Sequence, residues 1–413
     1  MLLAAPADAQ ILQAKWVDES EERIDELRKA PLRILVLDRA GDHVADAPVR
    51  IEQLRHAFPF GLRVTAKSLA AAPATDAFHK TPLWRCFNAV TLDALTAWPR
   101  TQPAKDRWDF EAVDKAVQWS FDRGMLARWG GVVSADRGRM PQWAGGLKGD
   151  ALRLAVEAHT RQVVQKYNRS VDQFDLISQW LDHDELPGEL GAAAMRRLHQ
   201  LAEADALHKP LGRSRSQICL KYEDCFFGDR LSRTVQRVID ARESFIPVDA
   251  IAAEMRLRGS IVEAPVTRSV KAMVDAGLPV VVTGLEVAGP SPAAAAVNLE
   301  TALRAIFSQP GVVGIYVNGL GADELNDREA ALIDDAGKPN DAGELFDAMI
   351  RKHWWSDATL KSDELGNVRH RVFAGAYRIS AKLPDGSTIE VETLLPAGSK
   401  EKLIVLQAVG AAR

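Results

Sequence analysis

The sequence has few cysteines and no excess of charge of one sign. Its 413 residues include three cysteines, 52 lysines and arginines, and 56 aspartates and glutamates, so the formal net charge is −4. Three cysteines are too few for a disulfide scaffold or a four-thiolate zinc site. Because a general binder of nucleic-acid phosphates carries a surplus of lysine and arginine, the charge balance argues against nucleic acid as a partner.

Long apolar runs are also absent. No segment has the roughly 18 consecutive apolar residues that a membrane-spanning helix needs, so we expect no membrane span. Hydrophobic residues make up 47% of the chain and charged residues 26%, which is typical of a globular protein and excludes wholesale disorder. Four tyrosines stand against ten tryptophans. Tryptophan is common in sugar-binding clefts, but it also fills cores, so this ratio does not decide the function.

Both ends of the chain alternate apolar and polar residues as β-strands do. The alternating segments are residues 32–37, 47–52, 367–372, 376–381, 388–392 and 402–406. Two strands alone are marginally stable in water, so we expect both ends to combine into one small β-sandwich made of residues 31–56 and 366–408.

Residues 1–30 are predicted to be a leader followed by a helix. Within them, Ala7-Asp8-Ala9 fits the small-x-small pattern that precedes a signal-peptide cut. This pattern predicts a signal-peptide remnant at residues 1–9 and an exported protein, periplasmic or extracellular. A flexible alanine-rich terminus is the alternative.

Between residues 57 and 356, short apolar runs alternate with helix-compatible stretches. The runs are residues 58–64, 89–92, 126–129, 174–178, 217–221, 248–252, 280–283 and 312–317. Eight strand-helix units are typical of a (β/α)8 TIM barrel. The sequence therefore predicts an α/β fold, with a barrel over residues 57–356 and the small β-sandwich beside it. In such a barrel, chemistry takes place where the strands end and the loops begin.

Several motifs of this segment match a known family. They are the stretch Ala-Pro-Val-Arg-Ile-Glu-Gln-Leu-Arg-His-Ala-Phe-Pro-Phe-Gly at residues 47–61, Phe87-Asn88 followed by Trp98, Arg128 followed by Pro141-Gln142-Trp143, Asp249 with Ile251, and the run 278–283. On these residues the chain resembles the family 10 glycoside hydrolases, the xylanase family, from about residue 23 to 408. The likeness is to the branch in which a strand pair precedes the barrel and a small β-domain follows it. The resemblance implies a polysaccharide or oligosaccharide as ligand.

The resemblance also places two unsuitable residues at the catalytic positions. Family members use one glutamate as acid/base and a second as nucleophile. The corresponding positions here are Gln179 and Gly284. Glutamine has no titratable proton and glycine offers no nucleophile. We therefore expect a pseudoenzyme that binds carbohydrate without hydrolysing it.

Other carboxylates follow the predicted strands and could have taken over the chemistry. Glu254 ends the sixth strand, Asp182 follows the fourth, and Glu286 lies two residues beyond Gly284, which places it on the same side of the strand. These three are the candidates for a glycosidase with relocated acid/base groups. The alternatives are a structural role for Glu286 and an ion pair of Glu254 with Arg256 or Arg258. An interaction or structural protein of the cell envelope is a third hypothesis.

Six further residues are candidate ligand contacts at the predicted mouth. They are Asp93, Arg128, Trp129, Trp180, Glu223 and Asn318. Trp129 stands where the family has a glycine, so we expect its ring to fill space that a sugar occupies in active relatives. His183 between Asp182 and Asp184 is the one histidine-carboxylate cluster, but a solvated acidic loop is favoured over a metal site. No P-loop or GxGxxG signature appears, and we expect neither a metal nor a cofactor.

Overall fold

The computed structural model describes residues 7–206 and 215–407, with side chains described from residue 15 onward. The chain forms two compact units. One takes in the residues up to Phe58, residues 307–310, and those from Asp347 onward; the other comprises Pro59–Ile306 and Gly311–Phe346. The predicted leader at residues 1–9 lies for the most part outside the described residues.

The described residues include seventeen strands. They are β1 (Lys29–Leu37), β2 (Pro48–His56), β3 (Phe60–Arg63), β4 (Ala89–Thr91), β5 (Leu126–Trp129), β6 (Val133–Ser134), β7 (Gln173–Asp175), β8 (Ile177–Ser178), β9 (Gln217–Tyr222), β10 (Ala250–Leu257), β11 (Val280–Val287), β12 (Val312–Val317), β13 (Asp357–Lys361), β14 (Asn367–Phe373), β15 (Gly375–Lys382), β16 (Thr388–Leu395) and β17 (Lys402–Gln407).

The α-helices of the same residues number thirteen. They are α1 (Ala7–Arg28), α2 (Ala66–Ala71), α3 (Thr75–Phe78), α4 (Asp93–Thr96), α5 (Trp98–Thr101), α6 (Glu111–Asp122), α7 (Gln142–Gly145), α8 (Gly149–Tyr167), α9 (Glu185–Asp205), α10 (Gly228–Glu243), α11 (Glu263–Asp275), α12 (Pro292–Phe307) and α13 (Asp341–Ala348). Among the residues described, no helix combines the length and the apolar character needed to cross a bilayer.

The strands from the two ends of the chain form a β-sandwich, as predicted. One sheet has the order β14-β1-β17 and the other the order β13-β2-β15-β16. Alternate residues of each strand point into a shared core, where Ile34 and Val36 of β1 meet Val49 and Ile51 of β2. Strand β13 was not predicted. It pairs antiparallel with β2, but none of its residues is fully buried, so its sequence carries a weak apolar signal.

Eight parallel strands close into a barrel in the order β3-β4-β5-β7-β9-β10-β11-β12. All eight predicted runs contribute a strand, and the pairing of β12 with β3 completes the circle. Strand β11 is buried at every position, which is typical of a parallel strand covered on both faces. This confirms the predicted (β/α)8 barrel. The fourth run differs in one respect, because Ile177 and Ser178 leave the barrel and pair with β6 instead.

Candidate ligand-binding site at the barrel mouth

Two cavities that share six lining residues open at the carboxyl ends of the barrel strands. The shared residues are Arg63, Asp93, Arg139, Gln179, Glu223 and Glu254. The first cavity, of about 240 Å³, also contains Lys221 and is called the lysine cavity here. The second, of about 500 Å³, is called the arginine cavity because it adds Arg230 and Arg256, together with Asp182, Asp224, Asn318 and Asn326. Their position is that of active sites in barrel enzymes.

A buried lysine organises the lysine cavity. Lys221 lies on β9, and its Nζ donates a hydrogen bond to Asp93 Oδ2 at 2.5 Å and lies 3.7 Å from Glu254 Oε1. Burial alone would lower the pKa of Lys221, but the charges of Asp93 and Glu254 outweigh it and raise that pKa above its usual range. Burial would likewise raise the pKa of Asp93, yet the Lys221 charge and hydrogen bond hold it well below its usual range. The ion pair is therefore fully charged near neutral pH.

Glu254 occupies the space above Gly284. A Cβ atom placed on Gly284 would lie 3.0 Å from Glu254 Cγ and 3.2 Å from its Cδ. Gly284 also has a φ of +57°, a left-handed conformation that residues with a side chain rarely adopt. The backbone conformation therefore favours glycine at this position, and an added Cβ would force the Glu254 side chain to shift by a few tenths of an ångström. The Glu254 carboxylate also accepts a hydrogen bond from Arg256 Nη2, at 3.3 Å.

Glu223 and Glu254 form a pair of buried carboxyl groups on neighbouring strands. The pairing of β9 with β10 sets Tyr222 opposite Ala253, so the two glutamates follow at the next position. Burial raises the pKa of Glu254 to about 7, with the Lys221 charge opposing the shift and the negative charges of Glu223 and Asp93 adding to it. Burial also raises the pKa of Glu223, against the opposing effects of Lys221 and a hydrogen bond from Gln179. Two carboxyl groups at this mouth therefore hold protons more tightly than exposed glutamates do.

Gln179 presents its backbone as well as its side chain to the site. Its N–H donates to Glu223 Oε1 at 3.0 Å and to Oε2 at 3.1 Å. It has a φ of +62°, which is uncommon for a residue with a side chain. The Glu223 carboxylate thus holds the main chain of Gln179 in a sparsely populated conformation, and the Gln179 side chain lines both cavities.

Glu286 has a different environment from the one expected for a relocated acid. Its Oε1 accepts hydrogen bonds from the Asn318 and Asn326 side-chain amides, the latter at 2.7 Å, and its Oε2 accepts from the Asp327 N–H at 3.0 Å. Strand pairing sets Glu286 opposite Arg256, after a register shift at which Gly284 and Leu285 of β11 lie opposite the single residue Met255 of β10. Glu286 lies outside the lining of both cavities, so its carboxylate serves to hold the loop after β12.

Asp182 lines the arginine cavity but is bound by an arginine. Arg230 donates to its two carboxylate oxygens at 2.5 and 2.9 Å. This bidentate pair lowers the pKa of Asp182. A carboxylate with a lowered pKa holds no proton near neutral pH, so Asp182 is unsuited to the general-acid role considered for it.

Arg128 and Trp129 do not reach the cavities, and the expectation that they contact a ligand is wrong. Both are fully buried. Arg128 points into the barrel, where it forms an ion pair with Asp175. Because successive strand residues point to opposite faces, Trp129 points outward and packs against Tyr167 and Phe174, with ring centroids 5.0 and 6.3 Å away. The Trp129 ring therefore fills the layer between strands and helices, not the space of a sugar.

The remaining predicted contacts fall in different places. Asp93 and Glu223 line both cavities, and Asn318 lines the arginine cavity while its side-chain amide binds Glu286. Trp180 lies outside both cavities, in a separate hollow of about 260 Å³ that it shares with Tyr222 and with Arg237, which lies 5.6 Å from its ring. The sequence reasoning missed Lys221. Its signal was a lysine in strand β9 directly after the apolar run Ile218-Cys219-Leu220.

His183 meets carboxylates other than its sequence neighbours. Its Nδ1 lies 3.2 Å from Glu185 Oε1 and its Nε2 lies 3.9 Å from Asp136 Oδ2. The ligand atoms of these three residues lie within 4.8 Å of one another, and none of the three is fully buried. One histidine between exposed carboxylates also forms without a metal, so this cluster does not change the expectation that the protein binds none.

Fold and cavities together define a (β/α)8 barrel protein with a charged, partly buried site at the carboxyl ends of its strands. The model of glycosyl hydrolase family 10 matches residues 52–342, and the chain belongs to this family.

Two curated relatives are similar over most of this chain. The anti-sigma-I factor RsgI6 of Acetivibrio thermocellus is 23% identical over 372 residues, which cover 90% of this chain and 47% of that protein. Endo-1,4-beta-xylanase 1 of Arabidopsis thaliana is 23% identical over 385 residues, which cover 89% of this chain and 38% of that protein. The chain thus spans less than half the length of either relative.

Solved xylanase structures share the barrel fold. Xylanase 10B from Thermotoga petrophila RKU-1, in complex with xylobiose, superposes with a TM-score of 0.60 at 16% identity, covering 71% of this chain and 94% of that one. A glycosylated endo-beta-1,4-xylanase from Gloeophyllum trabeum gives 0.59 at 17% identity, covering 72% and 99%. At these identities the likeness shows the fold alone.

Proposed function

We propose that the protein binds a polysaccharide or oligosaccharide at the barrel mouth and does not hydrolyse it by the retaining mechanism of its family. The observation that carries this proposal is the position of Glu254, whose side chain fills the space above Gly284. A nucleophile carried by residue 284 would need that space. Lys221 and Arg256 hold the Glu254 carboxylate in place.

The retaining mechanism needs two carboxyl groups about 5–5.5 Å apart, one as acid/base and one as nucleophile. The resemblance assigns these positions to Gln179 and Gly284. The amide of Gln179 cannot supply the proton that the leaving oxygen requires. Gly284 has no side chain with which to form a glycosyl-enzyme bond. Neither half of the double displacement has its reactive group in the place the family uses.

A binding role is supported by the polar lining of the cavities and by the relatives. Carboxylate, amide and guanidinium groups line the arginine cavity, and such groups can hydrogen-bond to sugar hydroxyls. One similar structure is described in complex with xylobiose. One curated relative is named as an anti-sigma-I factor. Recognition without turnover is enough for a regulatory role.

A second candidate function is hydrolysis by relocated carboxyl groups. The observation that favours it is the pKa of Glu254, raised to about 7, because such a group keeps its proton near neutral pH and can act as an acid. Of the three carboxylates first considered, Glu254 alone combines a raised pKa with a place in both cavities. Its neighbour Glu223 would be the partner base. A cell-envelope interaction protein is the third candidate, and a glycan ligand at the mouth would count against it.

The experiment that separates these candidates is a glycan array run beside an activity screen on the same preparation. We expect specific binding of a glycan, with no shortened products from xylan or aryl xylosides. The variant E254Q keeps the shape of the side chain but removes its proton. Products that appear with the native chain and vanish with E254Q would establish relocated hydrolysis. Robust hydrolysis of xylan by both proteins would contradict the loss of the family mechanism.

Export is part of the same proposal and rests on Ala7-Asp8-Ala9. N-terminal sequencing of protein recovered from the native host tests it, because export predicts a mature chain that begins at Gln10. We also propose the domain division expected from the sequence, with a leader and helix at residues 1–30, a sandwich of residues 31–56 and 366–408, and a barrel of residues 57–356. The compact units of the structure differ from it, because they group helix α1, residues 307–310 and residues 347–356 with the sandwich.

A further inference from the structure

The arginine cavity is lined by several arginines, and two of them, Arg63 and Arg256, indicate a preference for a negatively charged ligand. We propose that its ligand is an acidic oligosaccharide, and that a sugar carboxylate binds between Arg256 and Arg63. The inference rests on the proposed function and adds the chemical class of the ligand.

The carboxylates of this cavity already have partners within the protein. Asp93 binds Lys221, Asp182 binds Arg230, and Glu223 accepts the backbone N–H of Gln179. Glu254 lies between Lys221 and Arg256. Asp224 is the fifth carboxylate, and its negative charge, like that of Asp182, acts on Arg230. Four of the five acidic groups thus have a hydrogen-bond or ion-pair partner within the protein, whereas Arg256 and Arg63 have bonding capacity left.

Arg256 keeps part of its guanidinium unused. Its Nη2 contacts Glu254 at 3.3 Å, while its Nε is buried and has no hydrogen-bond partner among the described residues. Its side chain is 28% exposed, towards a cavity that it lines. Because Nε is closed to solvent, a ligand oxygen would meet the exposed part of the guanidinium, where Nη2 alone has a hydrogen-bond partner among the described residues.

Arg63 offers a second guanidinium whose charge faces neutral acceptors. Its Nε donates to the Asn318 carbonyl at 2.9 Å and its Nη2 to the Glu324 carbonyl at 2.6 Å. No carboxylate of the described ranges forms an ion pair with Arg63 within 4 Å. The carbonyls fix the orientation of the guanidinium but leave its positive charge without a counter-ion.

The two arginines border the same loop. Arg63 binds the carbonyl of Asn318, whose side chain is held by Glu286, and Glu286 is paired across the sheet with Arg256. A planar guanidinium binds a carboxylate through two parallel hydrogen bonds, so a uronate fits this wall of the cavity. A neutral sugar would leave both charges partly desolvated and uncompensated, which is unfavourable.

The resemblance agrees with this change of ligand. The family has Gln-x-His on the sixth strand, where this chain has Glu254-Met255-Arg256. The substitution places a permanently charged guanidinium, that of Arg256, where the family has a histidine. Arg256 supplies a positive charge at the site, and Glu254 accepts a hydrogen bond only from its Nη2.

Isothermal titration calorimetry on the full chain tests the inference with matched probes. The probes are xylotetraose, xylotetraose bearing one glucuronate branch, and xylotetraose bearing one sulfate. We expect the glucuronate probe to bind about tenfold more tightly than the neutral one, which corresponds to about 1.4 kcal/mol. R256Q should remove this advantage, so that the neutral and glucuronate probes bind that variant with the same affinity, and R256K should restore part of it. Arg268 is exposed on α11, so R268Q removes the same charge away from the cavity and should change nothing.

The outcomes separate this inference from the proposed function. Equal affinity for the neutral and glucuronate probes would overturn the acidic ligand but leave saccharide binding intact. Binding of none of the three would overturn both. Tighter binding of the sulfated probe than of the glucuronate probe would overturn the carboxylate assignment. An R256Q protein that retains the native circular dichroism spectrum and the full glucuronate advantage would remove Arg256 from the site.

Discussion

Replacement of Gly284 by alanine tests the crowded arrangement at the barrel mouth. A side chain at this position meets two separate obstacles. The φ of +57° is unfavourable for a residue with a Cβ atom by roughly 1–2 kcal/mol. The same Cβ would lie 3.0 Å from Glu254 Cγ, which is closer than ordinary van der Waals contact and forces Glu254 to move. We therefore expect G284A to lower the free energy of unfolding by about 1–3 kcal/mol.

The measurement is chemical denaturation followed by circular dichroism, with two comparison variants. Gly146 has a φ of −90° and nothing within 4 Å of its added Cβ, so G146A should leave stability unchanged or slightly raised. In an E254A background the crowding is gone, and the cost of G284A should fall to the backbone contribution of roughly 1–2 kcal/mol. If G284A is as stable as G146A, the proposed occupation of the space above Gly284 by Glu254 is wrong.

Three further predictions concern the charged groups around this position. K221M leaves Asp93 and Glu254 without their buried cation and should lower the free energy of unfolding by about 3–5 kcal/mol in the same denaturation assay. K271M removes a lysine from an exposed ion pair and should change that free energy by less than about 1 kcal/mol. The pKa of Glu254 is raised from 4.5 to about 7 in the folded state, so the native protein binds more protons than the unfolded chain between those pH values. The free energy of unfolding should therefore fall as pH rises through about 4.5 to 7, and E254Q should flatten that slope. An identical slope in both proteins would contradict the pKa shift. E286Q replaces an acceptor of the Asp327 N–H and should speed hydrogen exchange of that amide, while unchanged exchange would argue against the role of Glu286 in holding the loop.

The barrel could be predicted because its strands are buried on both faces and appear as short apolar runs. Strand β11 shows this, since every one of its residues is buried. The sandwich could be predicted for the complementary reason, because strands such as β1 alternate between core and surface. Strand β13 was missed because it lies at a sheet edge with no fully buried residue. The alternation of apolar and polar residues reflects the burial of one strand face, so a half-exposed edge strand shows only a weak pattern.

The site was harder to predict than the fold, because strand period gives the direction of a side chain but not its partners. The outward direction of Trp129 follows from the inward direction of Arg128, and applying the alternation there would have corrected that expectation. The period-of-two argument placed Glu286 towards the barrel axis. The register shift between β10 and β11 and the amides of Asn318 and Asn326 decide what Glu286 contacts. Lys221 was visible in the sequence as a charge on a buried strand. Its ion pair with Asp93, 128 positions away, depends on the closure of the barrel.

The most direct test of saccharide binding without retaining hydrolysis is one calorimetric titration followed by chromatography of the same sample. The glucuronate-branched xylotetraose is titrated into the full chain, and the mixture is then held and separated by size. We predict saturable heat with one site per chain and recovery of the intact sugar. Shortened oligosaccharides in the recovered mixture would contradict the loss of hydrolysis, and the absence of any binding heat would contradict the binding site at the barrel mouth.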